Sequence, residues 1–342
     1  MKKIKFAVVG CGQIGKRHAA IITGNPETEL AALCDILPKG ELSLPTELDV
    51  IPFFENIESL LDSGIEMDVV CICTPNGLHA RQALQVLDAR KHVVIEKPMG
   101  LSKAECEKVI HRALNINRQV FCVMKNRYSP PAVWIKSVIE NKTLGDIYFV
   151  SVNCFWNRDD RYYRPGGVQH KWHGDKALDG GTLFTQFSHF IDMIYWLFGD
   201  LKNIRARFAN FTHADSIDFE DSGVVHFELE GGALGTLSYS TAVWDQNFES
   251  SLTIVGSEGT IKIGGQYMER IEYCHVKNFE QPELPPSNPP NQYGGYTGSA
   301  ANHHFVIENV LGALSGKNEI TTNALEGMKT VEIIERIYGS GE

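Results

Sequence analysis

The sequence predicts an α/β protein of two domains. An N-terminal doubly wound domain on a parallel sheet precedes a C-terminal α+β domain with an open, mainly antiparallel sheet. Three observations predict this. Over residues 1–124, short apolar runs alternate with helically spaced segments, the pattern of strand–helix–strand units on a parallel sheet. Past Lys125 the hydrophobic period drops to two over long stretches, as in antiparallel strands with one solvated face. The chain, at 342 residues, is also too long for one ordinary core. The boundary is expected between residues 124 and 125, with the second domain running 125–342.

In the first domain, Lys5–Val9, Leu30–Cys34, Asp68–Cys73, His92–Ile95 and Gln119–Val123 read as strands, and His79–Asp88 and Ser102–Leu114 as helices. In the second, Ala132–Glu140, His189–Phe198 and Ala324–Ile337 read as helices. Ile147–Trp156, Ile204–Phe211, Gly223–Leu229, Ala233–Thr241 and Ser251–Ile263 read as strands, punctuated by Gly231-Gly232 and Gly264-Gly265. Residues 279–298, rich in proline, glycine and asparagine, read as a long surface loop. The alternation implies an apolar-leaning outer face on the second sheet, and such faces pair. A homo-oligomer, dimer or tetramer, is expected.

The formal net charge of -10 leaves no basic face for a nucleic-acid partner. No apolar run approaches the roughly eighteen residues of a membrane span. Lys2-Lys3 and the apolar run after them resemble a secretory signal, but the run is short and passes into a glycine-rich turn instead of a cleavage site. The eight cysteines are scattered apart from Cys71-Ile72-Cys73, so reduced thiols in the cytoplasm are expected. His303-His304 either lines a site or lies on a helix surface. With no acidic or cysteine companions it makes no metal site, and none is expected.

The stretch "VVGCGQIG" sets Gly10, Gly12 and Gly15 as G-x-G-x-x-G between a strand and a helical segment. The first glycine permits the tight turn, the second lets a pyrophosphate approach the backbone, and the third lets helix pack on strand. Gln13 and Ile14 open the helix whose N-terminus would face the phosphates. About twenty residues after Gly15 the next strand ends in Asp35. A carboxylate there accepts from the adenosine ribose hydroxyls and repels a 2′-phosphate, which favours NAD over NADP. The plain alternative is three turn glycines and a chance aspartate, against which strand, spacing and acid agree. Two further strands end in "CTPNGLH", with Thr74, Pro75, Asn76 and His79, and in "EKP", with Glu96, Lys97 and Pro98. Ligands of an open parallel sheet sit beyond these carboxyl ends, so Lys97 is expected where a nicotinamide lies.

These motifs, followed by an antiparallel second domain, resemble the glucose–fructose oxidoreductase and inositol dehydrogenase (Gfo/Idh/MocA) family across essentially the whole chain. The resemblance implies a Rossmann domain binding NAD and makes Lys97 catalytic. It places His189 of "DGGTLFTQFSHFID" at the family's second-domain histidine. The family's aspartate four residues earlier is Thr185 here, so a mechanism needing that carboxylate is in doubt. "KNRYSPPAVWIKSVIENKTLGDIYFVSVNCFWNRDDRYYR" and "LTIVGSEGTIKIGG" add a narrower similarity, to the branch that oxidises UDP-N-acetyl-glucosaminuronic acid at its 3-hydroxyl in bacterial surface-polysaccharide pathways. That branch implies a UDP-sugar substrate and recycling of tightly bound NAD by 2-oxoglutarate.

Oxidising a secondary alcohol needs a hydride acceptor and a proton acceptor. Lys97 is the base only if its pKa falls far below about 10.4. Charged, it instead orients the hydroxyl, and His189, naturally near neutrality, takes the proton; the sequence leans to this assignment without settling it. Glu96 either caps its strand or contacts the nicotinamide ribose, and Asn126 is expected at the cofactor. The resemblance brings Trp172 and His173 over the nicotinamide, with core packing the alternative for Trp172. "NRDDRYYR" groups Arg158, Arg161 and Arg164 with Tyr162 and Tyr163. Arginine forks suit carboxylate and phosphate; the alternative is a solvated loop with Asp159 and Asp160 pairing the arginines. Arg127, Lys171, Thr185 and Gln186 complete the expected substrate residues. A free polyol such as myo-inositol is the second substrate class, and a non-catalytic NAD-binding regulator the alternative outside catalysis.

Overall fold

The first six strands of the computed structural model, which describes residues 3–341, are β1 (Ile4–Val9), β2 (Thr28–Cys34), β3 (Phe53–Phe54), β4 (Val69–Ile72), β5 (His92–Ile95) and β6 (Val120–Cys122). They pair in parallel in the order β3-β2-β1-β4-β5-β6. Their side chains are mostly apolar, and β4 is buried along its whole length, as a sheet covered on both faces requires. Helices α1 (Gln13–Gly24), α2 (Ile57–Leu61), α3 (His79–Asp88) and α4 (Lys103–Asn115) connect them. Ser102 is the N-cap of α4, accepting from the Glu105 N–H at 3.3 Å, which is why that helix starts one residue after the apolar spacing suggests.

The second stretch begins with α5 (Pro130–Glu140), β7 (Ile147–Phe155), the short α6 (Asp160–Tyr163) and α7 (Ser188–Phe198). Strands β8 (Lys202–Ala209), β9 (Ser222–Glu228), β10 (Leu234–Ser240), β11 (Glu249–Gly256), β12 (Gly259–Gly264) and β13 (Arg270–Val276) follow. With β7 they form one sheet in the order β13-β12-β11-β7-β10-β9-β8, antiparallel except where β7 and β10 run parallel. The run read as a single strand over Ser251–Ile263 is the β11–β12 hairpin, turned at Ser257 and Glu258. The expected loop at 279–298 contains β14 (Pro290–Gln292), which pairs with β15 (Thr297–Ala300). A helix that periodicity missed, α8 (His303–Leu314), precedes α9 (Ala324–Gly339).

Two units result, but not as contiguous halves. The break after Met124 is present, yet His303–Val331 groups with the first unit, leaving Lys125–Asn302 and the residues from Glu332 onward as the second. Cross-sheet register shows a mixed outer face. One row reads Arg205, His226, Thr236, Ser151, Thr253, Lys262, Tyr273, and another row on the same face reads Glu228, Leu234, Phe149, Val255, Thr260, so hydroxyls and charges alternate with apolar side chains. Among the described residues, no helix is long and apolar enough to cross a membrane.

Immediately before α7 the chain makes a π-helical turn, Leu183–Phe187, a form often found at functional sites. Its start is anchored by Glu220. The Glu220 carbonyl accepts from Thr182 Oγ1 at 2.5 Å, and its carboxyl accepts from the hydroxyls of Tyr239 at 2.9 Å and Tyr338 at 2.8 Å. The Tyr338 oxygen in turn accepts from the Leu183 N–H at 3.1 Å. Burial pushes the Glu220 carboxyl up to about 7, against the pull of the two tyrosine hydrogen bonds. The folded protein then holds this proton up to about 7, whereas the unfolded chain releases it near 4.5. Between those values the native state binds more protons, so stability falls as pH rises. Relative to Glu220→Gln, the wild type is expected to lose up to about 3 kcal/mol between pH 4.5 and pH 8, measured by denaturant unfolding across that range. A difference that grew with pH would contradict the assignment.

Candidate active site

At the carboxyl ends of the first sheet, β1 runs into the glycine loop. Gly10 adopts φ +90°, and a Cβ there would lie 2.6 Å from the Cys73 carbonyl oxygen. A Cβ on Gly15 would overlap the Gly10 carbonyl. Gly12, the N-cap of α1, faces open space, with nothing within 4 Å of its Cβ position and no side-chain cap. The first-turn N–H groups from Gln13 onward therefore open on a surface where an anion meets backbone alone. Asp35 braces this loop: its Oδ2 accepts from the Cys11 N–H at 2.7 Å and its Oδ1 from the Leu37 N–H at 2.9 Å. A part-exposed carboxylate with lone pairs to spare is what a ribose diol requires.

Beyond β4, Thr74 and Pro75 are part-exposed and Asn76 is buried. Thr74 Oγ1 donates to Gln82 Oε1 at 2.5 Å. His79, expected at the cofactor, is 1% exposed and turned inward. Its Nδ1 lies 2.7 Å from the Pro98 carbonyl and its Nε2 2.7 Å from the Thr74 carbonyl. Two acceptors favour an imidazolium, but burial is the larger effect and holds the ring below its ordinary pKa. Glu96 is corrected in the same way. Its Oε1 is 2.8 Å from His18 Nε2 and 3.7 Å from His303 Nε2, deep in the unit. Burial would lower the His18 imidazole, but contacts with Cys71 and Glu96 outweigh it and raise its pKa. Among residues 93–100, Lys97 is the one that is not buried.

The second unit distributes its expected residues less simply. His189 is buried, at the second position of α7. Thr185 donates to Asp179 Oδ1, and Asp179 Oδ2 accepts from the Gly174 N–H at 2.7 Å. Arg127 is withdrawn from substrate binding: it is buried, with Nε and Nη2 on Asp192 at 2.8 and 2.7 Å. Arg158 is buried against Trp156, Tyr162 and Tyr296. It donates to Gln186 Oε1 at 2.8 Å, the Asn157 carbonyl at 2.5 Å, Asn247 Oδ1 at 3.2 Å and the Thr297 carbonyl at 3.2 Å. Gln186 is therefore a partner of Arg158. Tyr162 and Tyr163 are core residues with Ile217, not exposed contacts. Arg161 pairs with Asp159 and Asp245, as the solvated-loop alternative holds. His173 stacks between Tyr162 and His170, at 4.1 and 3.8 Å between ring centroids, with Trp172 edge-on and part-exposed beside it. Asn126 is buried and its side-chain oxygen has no hydrogen-bond partner, an acceptor awaiting a donor.

Sequence reasoning passed over His18 and Asp179. His18 follows Gly15 by three residues, which turns it to the same helix face and hence to the sheet. Asp179 had no local signal; tertiary packing places it. His303, which the sequence left without an acidic companion, has Glu96 at 3.7 Å.

A dinucleotide fits the first unit on the chemistry present: a side-chain-free loop at a helix start, a carboxylate at the next strand end, and an open carboxyl edge. Comparison with known proteins agrees. Residues 4–123 match the Gfo/Idh/MocA oxidoreductase family, NAD-binding Rossmann fold, and residues 133–262 match the Gfo/Idh/MocA C-terminal domain. The WlbA dehydrogenase of Bordetella pertussis, solved with NADH and UDP-GlcNAcA, is 30% identical with a TM-score of 0.85, covering 99% of this chain and 96% of that one. WlbA of Chromobacterium violaceum, solved with the same ligands, is 28% identical with a TM-score of 0.86, covering 99% and 94%. The scyllo-inositol 2-dehydrogenase (NADP(+)) IolW of Bacillus subtilis is 32% identical over 71% of this chain and 64% of its own length.

Gly12 supplies a test of the loop. Its backbone, φ -67° and ψ -165°, suits any residue. Gly12→Ala is expected to leave the thermal midpoint within about 2 °C while weakening NAD binding about tenfold or more, read by calorimetric titration. Unchanged affinity would remove the loop from the cofactor.

Proposed function

Since the chain belongs to the Gfo/Idh/MocA oxidoreductase family, we propose that it is the NAD-dependent dehydrogenase of a UDP-linked N-acetyl sugar acid. In this reading it oxidises the 3-hydroxyl of UDP-GlcNAc-uronate to a 3-keto sugar in surface-polysaccharide synthesis. NAD-dependent oxidation of a CH–OH group is the coarser statement. The sugar acid is the finer one, and one observation carries it: Arg158. Its guanidinium is buried, and no carboxylate lies within ion-pair distance of it among the described residues. Burial lowers its pKa, yet a guanidinium stays charged. An uncompensated buried cation is costly unless something answers it. A uronate or a diphosphate does so, and a neutral polyol does not. The WlbA relatives, solved with UDP-GlcNAcA, support the same reading. IolW favours the second reading, a free polyol.

A bound nicotinamide would supply the acceptor for the hydride that leaves the carbinol carbon. The chain supplies the rest. Lys97, part-exposed at its strand end, donates to the substrate oxygen, orients the hydroxyl and stabilises the charge that develops on it. His189 accepts the hydroxyl proton, the role an imidazole suits. Asn126 offers its buried oxygen to the cofactor amide.

Turnover of UDP-GlcNAc-uronate and of myo-inositol, followed by nicotinamide absorbance, separates the substrate classes, and activity on the polyol alone would sink the sugar-acid reading. Lys97→Ala is expected to lower kcat at least about a hundredfold and leave NAD affinity within about threefold. If NAD stays bound and is recycled, 2-oxoglutarate added to the enzyme and sugar is expected to yield 2-hydroxyglutarate by mass spectrometry; its absence during sustained turnover would refute recycling.

A further inference from the structure

We propose that His18, His303 and His79 are positioning residues for Lys97, locking the residues on either side of it. Glu96 precedes Lys97 and Pro98 follows it, and both are buried. The Glu96 carboxylate has left water and needs a partner. His18, from α1, lies 2.8 Å from Oε1, and His303, from α8, lies at 3.7 Å. The two imidazoles stand edge to face with centroids 5.7 Å apart. Glu96 also turns its Oε2 back to the Lys97 N–H at 3.3 Å. On the other side, His79 reaches the Pro98 carbonyl at 2.7 Å and ties it to the end of β4 through the Thr74 carbonyl. Hydrogen bonds from α1 and α3 thus fix both sides of one lysine, with the His303 ring packed edge to face on His18, and rotation of the lysine side chain is what remains.

The chemistry of His18, Glu96 and His303 also fits a cation, since one ligand atom from each lies within 4.8 Å of the others. Tetrahedral zinc with bonds of about 2.0–2.2 Å separates its ligand atoms by about 3.3–3.6 Å. The His18–Glu96 separation of 2.8 Å is shorter. That is a direct hydrogen bond, so the geometry points to a shared proton rather than an ion.

The kinetic half of the test rests on the sugar-acid reading; the spectroscopic half does not. His18→Leu removes the donor, and His18→Gln keeps one. With UDP-GlcNAc-uronate and NAD, His18→Leu is expected to lose about a hundredfold in kcat, the scale of a misplaced reacting group, with KM for NAD within about threefold. His18→Gln is expected to recover kcat to within about tenfold of the wild type. In the free protein, the resonance of 13C-methylated Lys97, assigned by its absence in Lys97→Arg, is expected to shift in His18→Leu and in His79→Leu and return towards the wild-type position in His18→Gln. Should His18→Leu not fold, His18→Asn, with a donor too short to reach Glu96, takes its place. Equal losses in the Leu and Gln variants, or an unmoved resonance, would overturn the proposal. So would stoichiometric zinc that disappears in His303→Ala, measured by elemental analysis. A wild type inactive on the sugar would defeat the substrate reading and leave the resonance to decide this one.

Discussion

Four backbone hydrogen bonds hold the functional edge of the first unit in line. The Gly10 N–H donates to the Cys34 carbonyl at 2.8 Å, Cys73 to Val9 at 2.7 Å, Glu96 to Ile72 at 3.0 Å and Val123 to Ile95 at 2.9 Å. Each closes a parallel pair at the point where its strand ends. Parallel register sends every carboxyl end the same way, so the glycine loop, the Thr74 turn and the Lys97 turn must share an edge. The close approach of Gly10 to the Cys73 carbonyl follows from that ladder and explains why no side chain is tolerated at Gly10.

The buried charges of the molecule fall into two kinds. Arg127 is matched fork to fork by Asp192, and its removal would leave a carboxylate stranded in the interior. Arg158 has carbonyl, amide and aromatic partners that satisfy its donors without cancelling its charge. A hydrogen-bonded but unneutralised cation projects a field. In a chain of net charge -10, that makes the Arg158 neighbourhood a local exception favourable to an anionic ligand.

Strands and helices of the first unit were legible within one or two residues because β-branched runs and helical spacing are local properties; His79–Asp88 and His92–Ile95 coincide with the observed elements. Legibility failed where tertiary context decides. Helix α8 opens with two histidines and is packed into the first unit, although its sequence position suggests the second. In the site, residue types were read well and directions poorly. The sequence marked His79, Glu96 and Arg127 as functional, but nothing in it told which way their side chains turn. All three side chains are buried and hydrogen-bonded within the protein. Lys97 is part-exposed, since a strand end followed by proline leaves a long charged side chain few places but the surface.

The second unit bears on which group takes the proton. Thr185 stands where the family pattern places an aspartate, four residues before the histidine. A carboxylate is nevertheless close, since Thr185 hydrogen-bonds Asp179. That carboxylate is poorly suited to be the base. It is 1% exposed, Oδ1 accepts from the threonine hydroxyl, and Oδ2 accepts from the Gly174 N–H, so its oxygens are turned to the protein. The threonine hydroxyl donates its proton inward and offers a substrate only lone pairs. Among the residues carried by the turn and the start of α7, the imidazole of His189 then has the chemistry of a proton acceptor near neutral pH. In the proposed reaction the departure at position 185 leaves the base to His189, with Asp179 and Thr185 bracing the turn that precedes it.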